Sequence, residues 1–210
     1  MNSFVEIARR IMGINFLGTE EVTKHFGVHF TCEQLVEFQM IPFTESELEG
    51  CKNTHVLMAG YPLTVLGIKS RVPNYFFYPH GNAWYINDRL AKETIVDLRW
   101  YLLRKDLIPG SVGATHDEQE KLLNNNERVP YACEIIYLVT LYRLATGICL
   151  TFQDSGVRCL DILYCRGPLE RGDRVYMKSS TSIGIDLQCY DDIRHGDTGI
   201  ISSSQRKLFK

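Results

Sequence analysis

Near the end of the chain Asp191, Asp192, His195 and Asp197 fall within seven residues, in the run YDDIRHGDTG, directly after a strand-like segment. Oxygen and imidazole donors at that density suit a divalent cation. A cation held there could activate a water against a phosphoester, which is the chemistry of a small metal-assisted hydrolase or nuclease. The same residue types also make a solvated polar turn, because they bond readily to nearby backbone groups, and that is the reading adopted. It implies no metal and no other cofactor.

Two further groupings could do chemistry. Cys51 and His55 stand four apart, the spacing of a thiol and a base on one helix face, but Gly50 and the apolar run after His55 place a helix end between them. Glu134 lies in the most apolar helix of the chain. There a carboxylate is either a functional acid pushed towards neutrality or the structural partner of an arginine, and pairing is the expectation. No glycine-rich phosphate loop, GxSxG elbow, HExxH pair or calcium-loop pattern occurs, so the commonest nucleotide, hydrolase and calcium signatures are missing.

The elements that must position these residues follow from punctuation and period. Pro130 to Gly147, PYACEIIYLVTLYRLATG, is apolar on nearly every side apart from a stripe of Thr140, Arg143 and Thr146, so it reads as one long buried helix over 130–147. A membrane span is rejected, since Glu134 and Arg143 would each cost about 2.5–3.5 kcal/mol at mid-bilayer. Before residue 51, Ser3 with Glu6, Thr31 with Gln34 and Thr44 with Glu47 make capping boxes, and with a segment from Thr19 to Gly27 they predict four short helices. The pair around Gly27 resembles a helix-turn-helix, with Val22, Phe26, Val28 and Val36 as its expected inner contacts.

His55 to Ala59 reads as a strand, Thr64 to Arg71 as a short helix and Leu98 to Ile108 as a second strand. Between them lies an aromatic run containing Trp84 and Tyr85. After Gly147 the period changes: Ile148–Phe152, Val157–Tyr164, Arg174–Lys178 and Ile183–Cys189 are strand-length runs, expected to form an antiparallel sheet against the long helix. The expected fold class is α+β over 1–210 as a single globular domain, with a possible helical subdomain over 1–50. The layout of CKNTHVL, WYI, LRWYL, the helix after Pro130, VRCLDIL, DRVYM and YDDIRHGDTGI resembles uncharacterised bacterial proteins with no assigned activity, a likeness that implies a fold relationship and transfers no site.

Composition narrows the function classes. The 210 residues are 45% hydrophobic and 23% charged with a net charge of −2, which gives no general attraction to nucleic acid or to an anionic membrane. Seven cysteines in no metal-binding spacing, after an N-terminus without a signal core, point to free thiols in the cytoplasm. Between residues 14 and 50 seven glutamates face one lysine, a local charge of −6, so phosphates would be repelled from the helix-turn-helix. The function expected is therefore binding of another protein without catalysis, with Glu33 and Glu37 or with Trp84 and Tyr85 at the contact. The metal-assisted hydrolase at residues 191–197 is the alternative, and a helix-turn-helix regulator of DNA the second.

A metal site and a solvated turn differ in what an added ion does. A ligand at a hundredfold excess over its Kd adds about 2.7 kcal/mol to native stability. The solvated turn predicts no shift in Tm, beyond a general salt effect, on adding Mg²⁺, Mn²⁺ or Zn²⁺; a shift abolished by Asp192→Asn or His195→Ala would establish the metal site instead.

Overall fold

The computed structural model describes residues 3–78, 83–152, 155–163, 173–181, 184–190 and 197–204. Capping chemistry cuts the first part of the chain into short helices. Reciprocal boxes of Ser3 with Glu6, Thr31 with Gln34 and Thr44 with Glu47 start α1 (Phe4–Met12), α3 (Cys32–Glu37) and α4 (Glu45–Cys51). Between them come β1 (Phe16–Leu17) and α2 (Thr19–Phe26), whose cap is Gly18, its N–H donating to Glu21 at 2.7 Å, rather than Thr19. The middle of the chain holds β2 (His55–Ala59), α5 (Val65–Arg71), α6 (Arg89–Lys92), β3 (Trp100–Arg104), α7 (His116–Glu120) and β4 (Glu127–Arg128). The long helix α8 (Ala132–Thr146) follows, then β5 (Gly156–Leu163), β6 (Asp173–Ser180), β7 (Gly184–Tyr190), β8 (Thr198–Gly199) and β9 (Ser203–Ser204). The class is α+β.

Among the described residues there are two sheets, ordered β1-β2-β3-β9-β4 and β7-β6-β5-β8, and α8 lies between them. One side of α8 meets β5 and β6, and the other meets α2, α5 and β1. With apolar neighbours on both sides, every residue from Ala132 to Tyr142 is buried, Thr140 of the expected polar stripe included. Polar tips tie the helix down: the Tyr137 hydroxyl donates to the Ala59 carbonyl at 3.0 Å and the Tyr142 hydroxyl to Asn15 Oδ1 at 2.9 Å. Gly147, at a left-handed φ of 76°, ends it.

The boundaries differ from expectation in instructive ways. Pro130 stands outside α8, with Tyr131 as the cap, because the Pro130 carbonyl is engaged by the Leu160 N–H at 2.9 Å. Ile148–Phe152 forms no strand, since the left-handed turn at Gly147 leads into an irregular passage with Phe152 at φ 48°. Leu98–Ile108 shortens to Trp100–Arg104, the stretch that pairs with β2. The C-terminal sheet is mixed rather than antiparallel, for β8 runs parallel to β5. Five residues later the chain has crossed to the first sheet, where β9 pairs with both β3 and β4.

The aromatic run covers an edge. Strand β7 lies at the rim of its sheet, and its Ile185 and Leu187 carbonyls accept from the Phe77 N–H at 2.9 Å and the Trp84 indole N–H at 2.7 Å. The approach needs Gly184, whose φ is 87° and whose added Cβ would stand 2.6 Å from the Tyr75 carbonyl oxygen. Phe76 and Tyr85 point into the core from this run, while Phe77, Tyr78 and Trp84 stay exposed.

Because Leu138 and Leu141 are fully buried between the two sheets, Leu138→Asp is expected to abolish cooperative unfolding, which circular dichroism checks. Truncating such a leucine to alanine typically costs about 2–5 kcal/mol. Arg143→Ala, which removes a half-buried side chain lying over the Tyr75 ring, is expected to lower Tm far less.

Candidate functional site

Of the expected metal ligands, Asp191, Asp192 and His195 lie outside the described residues. Asp197 is exposed on the approach to β8, where its carboxylate takes Lys178 Nζ at 2.9 Å and its carbonyl accepts the Gly156 N–H at 2.8 Å. Among the described residues no three His, Cys, Asp or Glu side chains are grouped to hold a metal ion.

Cys51 and His55 are separated by the turn from α4 into β2. The Cys51 thiol donates to the Leu48 carbonyl at 3.7 Å, and burial pushes its pKa up to about 11, so it stays protonated at neutral pH and is a poor nucleophile. The His55 ring is bonded through Nδ1 to the Thr54 hydroxyl at 2.9 Å and is held below the usual histidine range by burial and by Arg104 across the strand pair. The sheet also brings Glu127 and Ser202 near it. The buried Ser202 hydroxyl donates to Glu127 at 2.7 Å, so serine, histidine and carboxylate share a neighbourhood without the serine–histidine bond that nucleophilic catalysis needs.

Glu134 is structural. It is 2% exposed and takes both ends of the Arg128 guanidinium, the Tyr131 N–H at 2.8 Å, and Arg99 at 3.6 Å. A second carboxylate that sequence reasoning treated only as part of a strand faces the same helix end. Asp161 of β5 accepts the Ala132 N–H at 2.6 Å, and burial, with Glu134 adding to it, lifts its pKa from an ordinary 3.8 to about 6 against the opposing pull of that N–H and of Arg128. Two acids and two guanidiniums thus meet where α8 begins. The arrangement anchors the helix.

One surface that the core leaves apolar and exposed is at α3. This helix buries none of its own residues, and Leu35, Val36 and Met40 are 40%, 69% and 57% exposed. Its two ends are nevertheless fixed. On the incoming side Phe30 stacks edge-on against Phe38 and Tyr61, and the Tyr61 hydroxyl donates to the His29 carbonyl at 3.3 Å. On the outgoing side the buried Phe38 ring meets Trp100 edge-on at 5.4 Å, and the Trp100 indole donates to the Phe38 carbonyl at 3.2 Å. Phe38 therefore takes the inward position that the helix-turn-helix reading gave to Val36, and Val36 points to solvent. Glu33 and Glu37 are exposed beside it. Of the aromatic pair, Trp84 is exposed, but Tyr85 is buried and presents no contact surface, which corrects its place among the expected partner-binding residues.

No family model, no curated protein and no solved structure matches the chain, so its surface has to be read from its own geometry.

The anchor of α8 carries a pH dependence whose sign follows from Asp161. Its raised pKa means that the folded state holds this proton more tightly than the unfolded chain, so its contribution to stability is present below about pH 4 and is lost as pH rises through about 6. Asp161→Asn keeps an acceptor for the Ala132 N–H and removes the charge. Its stability relative to wild type is expected to rise by about 2 kcal/mol between pH 4.5 and 7.5, at roughly 1.4 kcal/mol per pKa unit. Urea unfolding across that range checks it, and parallel curves for the two proteins would refute it.

Proposed function

We propose that this chain acts as one domain, as a non-catalytic protein-binding module in a reducing compartment, and that α3 is its docking element. The observation that carries the reading is the contrast at α3: a helix held at both ends by aromatic contacts, the buried Phe38–Trp100 pair among them, turns Leu35 and Val36 outward, leaves Met40 exposed just beyond its end, and buries none of its own residues. Grouped apolar side chains held rigidly in water are unfavourable unless something covers them, and a rigid helix face loses little further entropy when it is covered. Charge favours a protein over a nucleic acid as the cover. Glu33 and Glu37 border the exposed side chains, and phosphates brought to that face would meet carboxylates. The free thiols of the six described cysteines support the compartment.

The test is Val36→Asp, a substitution at a solvent-facing position that is expected to leave Tm within about 1 °C of wild type, since surface changes of this kind usually stay within about 0.5 kcal/mol. A partner cross-linked to the wild-type chain in cell extract is expected to be lost from the variant. Equal recovery of the same partner by both proteins would show that α3 is not the docking element.

A further inference from the structure

The charges around α3 say what kind of surface would cover it. Of the seven glutamates between residues 14 and 50, Glu20 and Glu21 meet Arg9, Glu49 meets Lys52, and Glu47 closes the cap at Thr44. Glu33, Glu37 and Glu45 meet no cation among the described residues, and the first two border the apolar face. With successive side chains turned by about 100°, Gln34 and Phe38 face the protein and Val36 faces directly away. Leu35 then lies on one flank of Val36, and Glu33 and Glu37 together on the other. Four residues apart, the two carboxylates are spaced roughly 5–6 Å along the helix. The face is thus apolar along its crest and acidic on a single side.

We infer that the partner presents an amphipathic helix whose apolar stripe seats on Leu35, Val36 and Met40 and whose one flank carries two Lys or Arg residues a turn apart against Glu33 and Glu37. The inference rests on α3 being the docking element and adds the chemistry of the partner. On a partner helix, a cation pair at the same axial spacing meets both carboxylates at once. Pairing on one flank only also fixes the partner's direction, because the reversed helix would carry its cations to the Leu35 side. Charges at such a rim contribute modestly to affinity and mainly select among partners.

Fluorescence anisotropy with labelled synthetic helices tests this on the full chain. One peptide carries a leucine stripe with two flanking lysines a turn apart, and a second carries glutamates in their place. At low salt the lysine peptide is expected to bind about three- to tenfold more tightly than the glutamate peptide, with the difference shrinking as salt screens the pairs. The double variant Glu33→Lys, Glu37→Lys is expected to reverse the preference, and Val36→Asp to weaken both peptides. Equal binding of the two peptides, no binding of either, or an unchanged preference in the double variant would overturn the partner chemistry while leaving α3 as a docking element. Undiminished binding to Val36→Asp would overturn the docking element itself.

Discussion

A single buried carboxylate organises the molecule. Glu134 stands in the first turn of α8, in the narrow space between two sheets, where an unneutralised charge would cost several kcal/mol. Its partners come from the first sheet: Arg128 is on β4, and Arg99 immediately precedes β3. Asp161, from the second sheet, holds the next free N–H of the same helix end. One turn of helix therefore couples to both sheets through groups that must all be in place together. The helix up to Tyr142 can then be buried on all sides, since its first N–H groups and its acid are satisfied at the junction.

Local chemistry was legible in the sequence and distant pairing was not. The capping boxes at Ser3, Thr31 and Thr44 each depend on residues three apart, so they could be read directly. The long helix was legible because nothing else is apolar over such a length. By contrast Arg128 and Asp161 reach the helix from segments that carry no shared motif, and β8 and β9 are two residues each, too short to show any period. Ile148–Phe152 has strand-like composition but gains no neighbour in either sheet, which composition cannot reveal.

Two errors at the surface have a common origin in short helices. Trp84 and Tyr85 lie on a 3₁₀ turn, where consecutive side chains point about 120° apart, so one ring is buried while its neighbour is not. In α3 the choice between Val36 and Phe38 as the inward residue decides which face is wet. Phe38 wins because its ring and its carbonyl both find Trp100 across the gap. A six-residue helix has too few side chains for its periodicity to have announced that choice.

The placement of β9 also bears on how the protein is made. Among the described residues, strand β4, which carries Arg128, joins the first sheet only through β9, the last described strand. While a ribosome is still translating residues before Ser203, α8 can form but the strand bearing its counter-charge has no sheet to join. Folding therefore cannot run to completion from the N-terminus as the chain emerges. The first sheet is closed only when a short stretch of serines and isoleucines, Ile200 to Ser204, has arrived.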